Sequence, residues 1–191
     1  MPAAGGRRYP ERDSPAVRTS GTWPGILRLL SWRAIVYQSD MTVSIALYQP
    51  DIAGNAGTIL RLGACMGVPV EIIEPAGFDL SDRNLRRAGM DYLELATLRR
   101  HVEYPAFDRA RREAGRRIVL LTTRAERAYT DFSYDVRDIL LFGRESAGVP
   151  AHVHDTADVR LTIPMVAGAR SLNLAVSAAM VLGEALRQTR G

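Results

Sequence analysis

Four short apolar runs constrain this chain most: VSIALY at 43–48, VEII at 70–73, IVLL at 118–121 and ILLF inside DILLFGRESAGVP at 138–150. Each is too short for a helix, and stretches with helical spacing or glycine-rich loops separate them. A continuous apolar run suits a strand covered on both faces, and parallel strands need crossover segments to provide the cover. Strands and helices alternating at these lengths imply an α/β domain, with a mostly parallel sheet and helices on both faces. The stretch from 138 to 186 organises the rest. It holds two strands, DILLF and the run inside DVRLTIPM, each ending in a loop of Gly, Pro and small polar residues. The second loop feeds a long amphipathic helix. Strand ends, glycine-rich loops and a helix start together point to a pocket in which backbone groups hold a ligand.

Along the chain, 49–57 (QPDIAGNAG) reads as a loop and 58–66 as a helix with Ile59, Leu62 and Met66 toward the core, stopped by Gly67. Residues 81–88 read as a short basic helix with Ser81 as N-cap, 92–96 as a short strand and 104–114 as a charged surface helix. In the last helix Leu172, Val176, Ala179, Leu182 and Leu186 follow helical spacing, and Ser171 suits its N-cap. Ala175, Ala178 and Ala179 make part of that helix narrow. Such a face serves either ordinary core packing or the close approach of a second chain.

Composition narrows the function. Of 25 basic residues all are Arg, so no Schiff-base or P-loop lysine chemistry is available. The formal charge of +4 is unevenly spread. Residues 1–40 hold six Arg against three acids and 41–191 hold nineteen against eighteen, so any RNA surface on the folded part is a local patch. The segment 1–40, rich in Pro, Gly, Ser and Arg, reads as a disordered extension or an over-long start, with the folded domain at 41–191. Cys65 is the single cysteine. It excludes an internal disulfide framework or a Cys-based zinc site, and among Leu62, Ala64 and Met66 it reads as a small buried hydrophobe. A reducing cytosol fits this usage, and no apolar run approaches membrane-spanning length.

Three places could carry chemistry. Asn55 and Gly57 follow the first strand, at the edge where open α/β sheets bind ligands, and Arg61 lies one helical turn further on. Gly143, at a strand end, permits close backbone approach to a ligand. Glu145 beside it either fixes the loop or faces a cationic centre. Asn173 sits in an otherwise apolar helix, where a partly buried amide needs partners. His152 and His154 lack a third metal ligand nearby. Arg83, Arg86 and Arg87, with Arg99, Arg100, Arg124 and Arg127, form clusters that are either solvated faces or a phosphate grip.

NAGTILR at 55–61, LLFGRESAGVP at 140–150 and IPM…RSLNLAVSAAMVLGEA at 163–185, in this order, resemble the three motifs of the SpoU branch of the SPOUT methyltransferases. The segments IIEPAGF and NLRRAGMDY are similar to those of its small tRNA (cytidine/uridine-34-2′-O)-methyltransferases. The resemblance covers 43–187. It implies a C-terminal trefoil knot that holds S-adenosylmethionine, no metal, and an obligate homodimer with the site at the subunit interface. It implies Leu121, Gly143, Ile163 and Ser171 along the cofactor pocket, with Asn55, Arg61, Glu145 and Asn173 at the reacting end. The acceptor would be the ribose of wobble nucleotide 34, a cytidine or modified uridine, gripped by Arg86 and Arg87 in the cytoplasm. Thr58 and Gly183 stand where relatives often carry Asn and a larger residue. Another tRNA or rRNA ribose remains an alternative acceptor, and a silent RNA-binding dimer an alternative function.

Overall fold

The computed structural model describes residues 42–80 and 96–190. The expectations for 1–40, for the helix at 81–88 with Arg86 and Arg87, and for the strand at 92–96 (Ala96 apart) lie outside the described residues. In chain order the elements are β1 (Ser44–Tyr48), α1 (Ala53–Met66), β2 (Val70–Ile73), β3 (Leu98–His101), α2 (Tyr104–Glu113), β4 (Arg117–Leu121), β5 (Asp138–Phe142), α3 (Ala151–Thr156), β6 (Val159–Leu161) and α4 (Leu174–Thr189). One six-stranded sheet runs β3-β2-β1-β5-β4-β6, and every pairing in it is parallel.

The expected α/β architecture is present, with a core on each face of the sheet. Ile45, Leu47, Ile72 and Leu140 pack on one side with Ile59 and Leu60 of α1 and Val181 and Leu182 of α4. Ala46, Ile73, Ile139 and Leu141 pack on the other with Tyr104 and Phe107 of α2 and Val153 of α3. Successive residues of a strand enter opposite cores, which is why the strands read as unbroken apolar runs rather than alternating ones. The chain moves outward from β1 through β2 and β3 on one side; on the other it enters at β4, steps inward to β5 beside β1, and then crosses out to β6 at the edge. The loops after β1 and β5 therefore flank a crevice at the carboxyl edge, the usual ligand position in open parallel sheets.

One polar group interrupts the second core. Glu71 of β2, 4% exposed, accepts bonds from Ser44 Oγ at 2.9 Å and Arg116 Nη1 at 3.3 Å and pairs with His101 Nε2 at 2.8 Å. Burial pushes its carboxyl pKa up, but His101, Arg116 and Ser44 together hold it below the usual range.

Several local expectations are corrected. Helix α1 starts at Ala53, so Asn55 and Gly57 occupy its first turns rather than a loop. Its buried stripe is Ala56, Gly57, Ile59, Leu60 and Gly63, and small residues that weaken helix propensity let it lie close to its neighbours. Met66 is 39% exposed and Cys65 is also exposed, so neither serves the core. Gly67 does end the helix, in the left-handed conformation at φ 61°. The edge strand β3, LRRH, lies outside the run read as a strand, because it carries charges rather than apolar residues. Helix α4 begins at Leu174 with Asn173, not Ser171, as its N-cap. Its buried positions are Ala178, Val181, Leu182, Ala185 and Leu186, whereas Leu172 and Val176 are exposed.

Candidate active site

The site is assembled from the loops after β1 and β5 and the start of α4. After β1 the chain turns through Gln49, a non-glycine residue at φ 46°, whose N–H donates to Ile73 O at 2.8 Å. This turn delivers Asp51, and one turn later Asn55, to the loop after β5. Glu145 in that loop accepts from Asp51 N–H through Oε2 at 2.8 Å and from Asn55 Nδ2 through Oε1 at 2.9 Å. Asn173 Nδ2 then donates to Asn55 Oδ1 at 3.0 Å. Asn173 Oδ1 meanwhile accepts the N–H groups of Ala175 and Val176, at 2.9 and 3.3 Å, and so caps α4. A continuous chain of bonds thus joins all three motifs. Both oxygens of Glu145 are engaged, so it orders Asn55 and the loop; of the two readings open at the sequence level, loop fixation is the one seen.

Beside this chain lies a cavity of about 630 Å³. Leu121, Gly143, Ile163 and Ser171 all line it, together with Asn55, Glu145 and Asn173. Its remaining lining includes Thr122, Phe142 and Met165, from the ends of the same strands. Gly143 is needed for a further reason besides the one expected. It lines the cavity, and a Cβ there would also stand 2.5 Å from Gly148 C and 2.7 Å from Gly148 Cα, so glycine permits the loop to close on itself. Arg144 and Gly148 pair across that closure through two N–H···O bonds of 2.9 Å.

The segment after β6 is bracketed by the β4–β5 connection. Leu161 O accepts from Thr122 N–H at 2.9 Å, and Thr162 exchanges bonds with Arg127 O at 2.8 Å and Tyr129 N–H at 2.9 Å. Gln188 of α4 secures the same connection, donating to Phe132 O and accepting from Tyr134 N–H, both at 3.0 Å.

Arg61 is exposed on α1 and is not among the residues lining the cavity. The middle arginines have local work: Arg100 pairs with Glu74 at 2.9 Å, and Arg127 donates to Asp131 O and lies 5.1 Å from the Phe132 ring centroid. His152 meets Tyr104 edge-on, and among the described residues no group of three or more His, Cys, Asp or Glu is placed to hold a metal. No described helix is long and apolar enough to cross a membrane. Asp51, which binds the β5 loop, was not singled out from the sequence. An acid one residue past the Gln-Pro of one strand end, with Arg-Glu-Ser past the other, was the available signal.

The profile of the SpoU rRNA Methylase family matches residues 42–183. The chain is 57% identical over 151 residues to a tRNA (cytidine(34)-2′-O)-methyltransferase of Ancylobacter novellus, an alignment spanning 79% of this chain and 96% of that one. A solved structure described as giving insights into the 2-OH methylation of C/U34 on tRNA superposes with a TM-score of 0.73 at 40% identity, covering 78% of this chain and 97% of that chain. An AdoMet-bound rRNA methyltransferase from Sinorhizobium meliloti superposes with a TM-score of 0.71 at 28% identity, over 78% of this chain and 57% of that chain. With its three motifs joined around one cavity and its sequence matched across that whole region, the chain belongs to the SpoU rRNA Methylase family.

Proposed function

We propose that this protein is an S-adenosylmethionine-dependent methyltransferase acting on the ribose 2′-hydroxyl of tRNA nucleotide 34, a cytidine or modified uridine. The observation that carries this reading is the Glu145–Asn55–Asn173 chain at the cavity that Leu121, Gly143, Ile163 and Ser171 line. The names of the most similar relatives support the acceptor.

The cavity fits the cofactor on its own chemistry. A volume of about 630 Å³ lies in the range of small-molecule sites. Apolar walls from Leu121, Phe142 and Ile163 suit a flat base, while strand-end backbone and Ser171 offer hydrogen bonds for its edge and for the ribose. The cofactor would supply an electrophilic methyl for the 2′-oxygen, leaving as a neutral thioether, and the hydroxyl proton would pass to solvent. The protein's task is placement and charge. Glu145 holds Asn55, and Asn55 holds Asn173, so the two amides present a fixed edge to the acceptor ribose. Arg61 offers a planar fork of N–H donors and serves as a donor rather than as a base. Its role is to bind the adjacent phosphate and to stabilise charge developing on the 2′-oxygen.

An interface site explains where Arg61 stands. Ile52 and Leu172 line the cavity yet are 51% and 41% exposed, and the exposed Val176 and Met180 continue this apolar border along α4. A second copy covering that border would make the protein a homodimer and bring a further wall to the site. The knotted C-terminal backbone is supported by the two-sided bonding of Thr162. Arg86 and Arg87, outside the described residues, are proposed to grip the tRNA, and the protein to work with it in the cytoplasm.

Incubation with labelled S-adenosylmethionine and total tRNA, followed by mapping of the methylated nucleotide, tests the reading. Label at the 2′-oxygen of nucleotide 34 is expected. Label elsewhere in tRNA would replace the acceptor, and cofactor binding without transfer would make the chain a silent RNA-binding dimer.

A further inference from the structure

The loop that carries Glu145 is short, exposed at 146–148, and closed by the Arg144–Gly148 bridge. Besides the Asn55–Glu145 bond, what holds it against the start of α1 is one residue. Asp51 Oδ1 accepts from Arg144 Nε at 3.1 Å and Nη2 at 2.5 Å. Asp51 Oδ2 accepts from Ser146 N–H at 3.1 Å and Ser146 Oγ at 2.6 Å. The Asp51 N–H donates to Glu145 Oε2 at 2.8 Å. Three consecutive loop residues therefore converge on the backbone and side chain of a single aspartate more than ninety positions away.

Asp51 is itself fixed from below. The left-handed turn at Gln49 precedes it, and Pro50 O accepts the Gly77 N–H at 2.8 Å. Gly77 approaches so closely that a Cβ there would lie 3.0 Å from both Asp51 Cα and Asp51 O. Asp51 is not among the residues lining the cavity, and both of its carboxylate oxygens are engaged by Arg144 and Ser146, which places it to act through the loop. The bonds from Arg144 and Ser146 hold its carboxyl down to about 2, so it is charged at any working pH.

We propose that Asp51 is a positioning residue for the transfer reaction, holding Arg144, Glu145 and Ser146 so that Glu145 meets Asn55 in reacting geometry. This rests on the functional reading above, and two independent readouts separate them. Asp51→Asn retains size but puts an amide donor where an acceptor is required. Hydrogen exchange of the 143–149 backbone should rise about tenfold while the β5 strand is unchanged. The affinity for S-adenosylmethionine, read by calorimetry, should fall less than the turnover number, because the loop forms one wall of the cavity while Leu121, Ile163 and Ser171 line it from other segments. The turnover number should fall by tenfold or more, as about 1 Å of misplacement can cost a hundredfold. Asp51→Asn and Ser146→Ala should be non-additive in turnover, since both cut the same link, and Asp51→Glu should recover part of it. Unchanged loop exchange would overturn the clamp whatever the wild-type enzyme methylates. Faster loop exchange with normal turnover, or additive losses in the double variant, would reduce Asp51 to an ordinary surface ion pair. Failure of the wild type to methylate nucleotide 34 would count against the functional reading alone, and exchange would still decide the clamp.

Discussion

Asn173 divides its side chain between two tasks, and single-atom changes separate them. Its Oδ1 caps α4, while its Nδ2 donates to Asn55. Asn173→Asp keeps a capping acceptor and adds a charge favourable at a helix N-terminus, but removes the donor. We expect urea unfolding within about 0.5 kcal/mol of wild type and methyl transfer reduced at least tenfold; Asn173→Ala should lose the transfer and also about 1 kcal/mol of stability. Glu71 presents the opposite case, a carboxylate with no part in the site. Its removal leaves the Arg116 guanidinium, 2% exposed, in the core, so Glu71→Ala should cost about 3–5 kcal/mol in the same measurement. Because its folded pKa lies below the ordinary 4.5, its contribution is present above that value and drains away as pH falls below it. Acid titration of the unfolding midpoint should show a shallower slope in Glu71→Gln. Asn173 was legible in the sequence as an amide in need of partners. Spacing could not name the partner, because Asn55 lies 118 positions away; only the family resemblance put the two amides at one end of the site.

At the scale of elements, strands that the sequence marked by apolar runs reappear within a residue, since a strand between two cores must be apolar on both faces. Helix starts were less legible. Helix α1 begins five residues early because Glu145 and the sheet hold 53–57 in a helical turn that Gly54 and Gly57 would not favour alone. At α4, Ser171 and Asn173 are both capping types, and the position of Asn55 decides between them. The loop after β5 offers the sharpest test of an element. Its closure depends on Gly143, and the atoms that a Cβ would strike are backbone, which cannot swing aside. Gly143→Ala should cost about 1–3 kcal/mol of folding stability. Opening the loop should also weaken S-adenosylmethionine binding about tenfold or more, which calorimetry would register as a loss of at least 1.4 kcal/mol. A variant binding as tightly as wild type would show that the loop closes by another route.

For the molecule as a whole, periodicity could indicate a two-faced parallel sheet, whereas the knot we propose rests on the family resemblance, because threaded chains are rare enough to be set aside by default. Periodicity also misplaced which face of α4 is covered. Leu172, Val176 and Met180 recur at intervals of four, forming a stripe 41%, 49% and 38% exposed, and Ala179 and Gly183 on the same side are exposed as well. A Cβ at Gly183 would meet nothing within 4 Å, so this helix face is both apolar and low, the form that permits another helix to approach closely. The stripe runs into the cavity at Leu172 and Ile52, so the dimer we propose would close over the site. Sedimentation equilibrium at micromolar concentration should therefore give twice the chain mass for the wild type. Combining Val176→Asp with Met180→Asp should yield the single-chain mass, because two charges would be buried unpaired at the contact. Those side chains lie outside the protein's own core, so the separated chain should keep its parallel sheet by circular dichroism while losing methyl transfer. A wild type sedimenting as a single chain would remove the dimer, and a double variant that stays paired would move the contact off α4.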